Sequence, residues 1–124
     1  MEGYSATIVR ASKDLTAREK IMFKDTTNAI SLDEATQEKS IVIAPVAWAI
    51  IAVHNEASDS KDYEKIVIMD DKGDKYVTGS VSFREAFSDI DTDMRADGED
   101  YCIMVYRRES KNYKGKSFIT CSLV

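Results

Sequence analysis

Five basic side chains crowd into ten residues near the end of the sequence. Between positions 107 and 116 the only acidic residue is Glu109, and the basic ones are Arg107, Arg108, Lys111, Lys114 and Lys116. These residues give the segment a net charge of +4, whereas the whole chain of 124 residues carries −5. A cationic segment on an acidic protein is typical of a site that binds a polyanion.

Aromatic residues accompany these charges. Tyr113 lies between Lys111 and Lys114, and Tyr106 and Phe118 flank the basic segment. Basic side chains contact phosphates without reading a sequence, while an aromatic ring stacks on any base, so the combination indicates single-stranded nucleic acid. The alternative is a solvated loop tip whose charges prevent edge-to-edge aggregation and whose tyrosine packs on lysine stems.

The basic segment lies between two stretches with strand character, 101–107 and 118–124. The first alternates between two sets of side chains, and the second is rich in apolar and β-branched residues, so together they predict a long C-terminal β-hairpin. A turn near Lys111 would place Cys102 and Cys121 roughly opposite each other. Both are predicted to be buried thiols, with a disulfide or a partial metal site as alternatives.

Residues 41–55 contain further candidates for base stacking. We interpret this stretch as two strands, 41–43 and 48–55, although Pro45 could instead begin a helix. In the strand interpretation Trp48 and His54 share a face, while Ala49, Ile51, Val53 and Asn55 occupy the other. Trp48 and His54 are second-rank stacking candidates, and core packing is the alternative for Trp48.

The segment 65–78 is a predicted hairpin. Residues 65–69 and 75–78 read as strands, and Gly73 supplies the positive φ of the turn between them. Tyr76, in the returning strand, is the third second-rank stacking candidate.

The clearest helix follows this hairpin. Ser82 and Glu85 have the spacing of a capping box, an apolar stripe follows, and Gly98 ends the pattern. Nearer the start, 6–11 reads as a strand, and Thr16 with Glu19 could begin a helical turn. Residues 20–24 then read as a strand, and 30–37 as a loop or a short helix.

Length and composition predict one folded domain spanning residues 1–124. Charged residues make up 31% and hydrophobic residues 44% of the chain, which excludes a disordered protein. No apolar run is long enough to span a membrane, and the first residues lack a signal peptide, so we expect a cytoplasmic protein with no membrane partner.

The residue inventory argues against an enzyme. His54 is the only histidine, and the chain lacks a Gly-x-Ser-x-Gly motif and a phosphate-binding glycine loop. The aspartates between 89 and 100 resemble a calcium loop, but Met94 occupies the position that requires glycine. We therefore expect no catalysis, no cofactor and no metal.

The order of elements is compatible with a small Greek-key barrel. Strands come first, then one helix, then a last hairpin, as in an OB-fold, which carries a helix between its third and fourth strands. The predicted fold class is therefore mainly β with one helix, arranged as an OB-fold-like barrel.

Three stretches of the sequence resemble single-stranded-DNA-binding proteins of tailed bacteriophages. They are LTAREKIMFKDTTNAISLDEAT, PVAWAIIAVHNEASDSKDYEKIVIMDDKGDKYVTGSVSF and SKNYKGKSFITCSLV. The resemblance extends from about Ser12 to Val124. It implies an OB-like fold, sequence-tolerant binding of single strands during phage DNA replication, phage replication proteins as further partners, and the cytoplasm of an infected bacterium as the location.

Residue chemistry and resemblance together predict a non-enzymatic single-strand binder. The basic residues of 107–116 would meet phosphates, and Tyr106, Tyr113 and Phe118 would stack on bases. The alternative is a phage-encoded protein-interaction module, an inhibitor of a host factor that uses the same basic hairpin against an acidic surface.

Overall fold

Strands account for 45% and helices for 26% of the computed structural model, which describes residues 4–57, 62–110 and 115–124. The predicted mainly β class is confirmed. The prediction of one helix is wrong, because the described residues form three. The strands belong to two open sheets.

The described residues form eight strands and three helices. They are β1 (Tyr4–Ala11), α1 (Ala17–Lys24), β2 (Ile30–Ser31), α2 (Leu32–Ala35), β3 (Ile41–Ile43), β4 (Pro45–Asn55), β5 (Asp62–Asp70), β6 (Lys75–Thr78), α3 (Val81–Asp97), β7 (Ile103–Glu109) and β8 (Ser117–Leu123).

The chain divides into two compact units, each assembled from two stretches of sequence. The first comprises Met1–Ile30 and Val46–Gly79, and the second comprises Ser31–Pro45 and Ser80–Val124. Each unit therefore contains roughly 60 residues. That the chain behaves as a single domain stays a prediction.

The first unit is built on a sheet with the strand order β1-β4-β5-β6-β2. On one face Ala49, Ile51 and Val53 of β4 pack with Val67 of β5 and with Phe23 from α1. The strand interpretation of 41–55 is thereby confirmed, and a helix beginning at Pro45 is excluded. Trp48 and Ile50, on the other face, are also buried. Burial on both faces explains why this stretch shows no simple alternation of polar and apolar residues.

Helix α1 replaces the strand predicted for 20–24. Thr16 accepts a hydrogen bond from the Glu19 amide, and the Glu19 carboxylate accepts one from the Thr16 amide, which completes the expected capping box. Good helix formers follow, and Phe23 is buried against the sheet while Ile21 is 65% exposed. The strand prediction was wrong because the Thr16–Glu19 cap and the core contact of Phe23 stabilise a helix that continues through the apolar residues of 20–24.

The turn between β5 and β6 forms as predicted. Gly73 has a φ of 86°, and the Asp70 carboxylate accepts hydrogen bonds from the amides of Lys72 and Asp74, at 3.0 and 2.9 Å. Asp70 is only 5% exposed. Turn chemistry therefore accounts for this buried carboxylate.

The second unit contains a sheet with the order β3-β7-β8, against which α3 packs through β8. Its buried apolar residues include Ile103, Val105 and Ile119 from the sheet and Phe83 and Phe87 from the helix. The two phenylalanine rings are parallel, with centroids 5.9 Å apart. The short helix predicted as one alternative for 30–37 is α2.

Helix α3 begins two residues before the predicted capping box. Ser80 is the N-cap, and its side chain accepts a hydrogen bond from the Phe83 amide. The Ser82 hydroxyl, which was expected to cap the helix, instead donates to the Ile119 carbonyl of β8 at 3.0 Å. Gly98 ends the helix as predicted, with a φ of 74°.

The C-terminal hairpin is confirmed, but its register differs from the one expected. Pairing runs from Ile103 opposite Leu123 to Glu109 opposite Ser117. Cys121 therefore lies opposite Val105, and the Cys102 carbonyl accepts from the Val124 amide. The predicted opposition of the two cysteines is wrong, and both are free thiols.

Candidate nucleic-acid interface

The two faces of the β7–β8 hairpin differ sharply in burial. Val105 and Ile119, on one face, are at most 2% exposed. The next residues along each strand point to the other face, where Arg108 lies directly opposite Phe118 and Tyr106 opposite Thr120. We call this the outer face of the hairpin. Tyr106, Arg108 and Phe118 are thus brought together on one surface.

Apolar side chains extend the outer face across the third strand. Val42 of β3 lies opposite Met104 of β7, and these two residues are 59% and 37% exposed. Phe118 is 36% exposed. The surface therefore combines aromatic and aliphatic area with a cation, which is the chemistry expected of a platform for bases.

Tyr106 is held in place within this surface. Its hydroxyl lies 2.7 Å from the Ser122 hydroxyl, on the paired strand. The residue is half-buried, so part of it remains accessible. A ring held by a hydrogen bond loses little entropy when a base stacks on it.

Arg107 lies on the face opposite to Arg108. Its guanidinium donates to the Ser117 hydroxyl at 3.2 Å and to the main-chain carbonyl of Asp33, in α2. This arginine is half-buried and connects the hairpin to a second element of its own unit. Sequence reasoning treated the two neighbouring arginines as equivalent, although strand alternation could have separated them.

The remaining basic residues belong to the connection between the strands. Lys116 is exposed, and its carbonyl accepts a hydrogen bond from the Ser110 amide at 2.9 Å, which extends the pairing by one step. Lys111, Tyr113 and Lys114 lie outside the described residues.

Trp48 belongs to the first unit, unlike the hairpin. It is only 6% exposed, and the Arg10 guanidinium carbon lies 5.8 Å from the centroid of its ring. The Trp48 amide also donates to the Ser12 hydroxyl. Burial under an arginine leaves little ring surface for a base, so these contacts favour the packing alternative.

His54 and Tyr76, also in the first unit, have acidic neighbours. The ring nitrogens of His54 lie 2.7 Å from an Asp62 oxygen and 2.8 Å from a Glu56 oxygen. These hydrogen bonds, led by the one to Asp62, raise the pKa of His54. Burial, followed by the Asp70 and Asp74 carboxylates, raises the pKa of Tyr76. Carboxylates so close to both rings oppose the approach of phosphate groups.

A buried polar cluster in the second unit was not anticipated from sequence. Asp91, 4% exposed, accepts from the Tyr101 hydroxyl at 2.6 Å and from Arg95 at 3.1 Å. Burial and this carboxylate raise the pKa of Tyr101. Because Asp91 is engaged in this way, it belongs to the packing of α3. Across the described ranges no three His, Cys, Asp or Glu residues are grouped to hold a metal ion.

Comparison with known proteins yields no relative. The chain matches no family model, no curated protein and no solved structure at a significant level. What the protein does must therefore be inferred from its own residues, chiefly those of the hairpin.

Within the part of the chain that the structure describes, no helix is both long enough and apolar enough to cross a membrane.

Proposed function

We propose that this protein binds single-stranded DNA without sequence preference, in the context of phage DNA replication, and is not an enzyme. The observation that carries the proposal is the grouping of Tyr106, Arg108 and Phe118 on the accessible outer face of the hairpin. Two aromatic rings and one cation on a single surface can stack on bases and neutralise the phosphate between them.

The basic residues have distinct roles in this proposal. Arg108 and Lys116, both exposed, meet phosphates at the end of the outer face, and Lys111 and Lys114 extend these contacts. Tyr113 provides a third stacking ring. Arg107 is a positioning residue, because its guanidinium is engaged with Ser117 and Asp33 on the opposite face.

The proposed fold is an OB-like barrel, with phage replication proteins as further partners and the cytoplasm of an infected bacterium as the location. Support for the fold is the element order, in which a long helix, α3, separates the β5–β6 hairpin from the β7–β8 hairpin. In an OB-fold a helix likewise separates two groups of strands, although it lies between the third and fourth, and single strands bind across the strands and loops.

Substitution of Phe118 tests this proposal. Loss of one base–aromatic stack costs ~1–3 kcal/mol, so Phe118→Ala should weaken binding of fluorescent oligo-dT roughly five-fold to a hundred-fold in an anisotropy titration. Tyr63→Ala is the matched control, since Tyr63 is 38% exposed and lies in the first unit. Equal affinities of the two variants and the wild type would remove Phe118 from the site.

A protein-interaction module is the second candidate, and the exposed Val42 and Met104 favour it, because aliphatic side chains on a sheet face suit a protein partner. Competition separates the two candidates. A single-strand binder should prefer oligo-dT to duplex DNA and to heparin, whereas a module directed at acidic surfaces should show no such preference.

A further inference from the structure

A second basic surface lies in the first unit, beside β1. A cleft with a volume of about 610 Å³ opens between the end of this strand, the segment that follows it and the side of α1. Its lining includes the basic residues Arg10, Lys13 and Lys20 and a single acidic residue, Asp14. The sequence pattern by itself does not mark this group as a site.

A β-bulge explains how Arg10 reaches the cleft. The pairing of β1 with β4 shifts between Ile8 and Arg10, so that Val9 is extra and is 48% exposed. Beyond the shift Arg10 lies opposite Ile50, and its guanidinium covers the ring of Trp48. An arginine supported by an aromatic ring presents its N–H groups in a fixed direction, which suits a phosphate oxygen.

The other groups in the cleft leave it cationic. Lys13 lies 2.8 Å from the Glu19 carboxylate, which is itself the partner of the Thr16 amide in the α1 cap. These contacts, led by the one with Lys13, lower the pKa of Glu19. Arg10 and Lys20 are both exposed, and Asp14 is the single acidic residue among those that line the cleft. β1 is also the end strand of its sheet, so main-chain groups along its outer edge can add hydrogen bonds.

We propose that this cleft binds the phosphate backbone of the same single-stranded DNA, as a second contact separate from the hairpin. This inference rests on the proposed function. No aromatic side chain is among the lining residues, so the cleft contacts phosphates and leaves the bases unread. The two sites therefore have different roles. The hairpin stacks on bases and contacts phosphates, whereas the cleft contacts phosphates only.

The salt dependence of binding tests this division. Each phosphate contact on a single strand contributes about −0.7 to the slope of log affinity against log salt. Arg10→Gln combined with Lys20→Gln should therefore make the slope shallower by roughly 1.4, and Lys20→Gln alone by roughly 0.7, with oligo-dT of about 30 nucleotides. The matched control is Lys39→Gln combined with Lys72→Gln, which removes the same charge from exposed lysines outside the cleft and should keep the wild-type slope.

The outcomes separate this inference from the proposed function. If the wild type binds oligo-dT and the cleft variants keep its slope, the cleft is not a DNA contact and the hairpin proposal stands. An equal change of slope in the Lys39 and Lys72 control also overturns the cleft, because the effect would then follow net charge. If the wild type does not bind oligo-dT at all, both proposals fail. Should the double variant not fold, Lys20→Gln alone decides, since this exposed side chain is not part of the core.

Discussion

Arg107 and Arg108 are adjacent in sequence and have different surroundings. Arg108 is exposed on the outer face, whereas Arg107 donates to Ser117 and to the Asp33 carbonyl. We expect Arg108→Gln to weaken oligo-dT binding and make the salt slope shallower by roughly 0.7, with an unchanged melting temperature. Arg107→Gln should instead reduce the free energy of unfolding by about 1–2 kcal/mol, because hydrogen bonds from a charged donor are lost.

Anisotropy titrations at several salt concentrations and thermal melts of the two variants provide the comparison. Each arginine variant is the control for the other, because both changes remove one positive charge from β7. A loss of stability in Arg108→Gln, or a change of slope in Arg107→Gln, would contradict the assignment of the two faces.

His54 makes stability depend on pH. Asp62 and Glu56 raise the pKa of His54 above its ordinary value of 6.5, so the folded state holds this proton more tightly than the unfolded state. The resulting stabilisation is fully present below pH 6.5 and is lost as the pH rises through the raised value. The only histidine in the chain gives a single imidazole signal in an NMR titration.

That titration should return a pKa above 6.5, and His54→Asn should flatten the pH dependence of the urea midpoint over the same interval. Asp62→Asn is the second variant. It should lower the pKa of His54, because it removes the group with the largest effect on that pKa. A value at or below 6.5 in the wild type would contradict the carboxylate contacts.

At the scale of elements, a polar cluster connects α3 with Tyr101, which lies just before β7. Tyr101 donates to the buried Asp91, which also accepts from Arg95 one turn along the helix. Tyr101→Phe leaves Asp91 with one donor fewer in a buried setting, and we expect the free energy of unfolding to fall by about 1–3 kcal/mol. Urea denaturation should show a lower midpoint with an unchanged m value.

Tyr63→Phe is the control for this substitution, since Tyr63 is 38% exposed and its change should leave the midpoint in place. If Tyr101→Phe has wild-type stability, the hydrogen bond from Tyr101 is not needed to hold Asp91.

At the scale of the whole molecule, the size of the two units decides how the chain unfolds. Each unit has roughly 60 residues drawn from two stretches of sequence. Cores of that size rarely supply more than about 3–5 kcal/mol alone, so we expect one cooperative transition, in agreement with the single domain predicted from sequence.

Each unit contains a natural probe for this experiment. Trp48, the only tryptophan, is buried in the first unit, and its fluorescence reports on that core. Cys121 is buried in the second unit, and burial raises the pKa of its thiol to about 12, so in a Cys102→Ser variant, which removes the other free thiol, a thiol reagent should react only after unfolding. The two probes should give the same urea midpoint. Separate midpoints would show that the units unfold independently.

Local chemistry by itself determined several elements of this protein. Gly73 and Gly98 adopt positive φ values where the sequence called for a turn and a helix end, and Thr16 with Glu19 forms the expected cap. The C-terminal hairpin and the β6 strand were also predicted, because turn residues and strand alternation are local signals. For the same reason Tyr106 and Phe118 could be proposed for the site from sequence.

Tertiary contacts decided the rest. The apolar run that contains Phe23 is helical, and Phe23 packs on the sheet. The Ser82 hydroxyl donates to the Ile119 carbonyl of β8 and does not cap α3. In the register of the β7–β8 hairpin, Cys121 does not lie opposite Cys102, and Arg108 lies opposite Phe118. The bulge in β1 places the Arg10 guanidinium over the Trp48 ring. These outcomes depend on residues far apart in the chain, whose pairing no local pattern contains, since a shift of one residue exchanges the two faces of a strand.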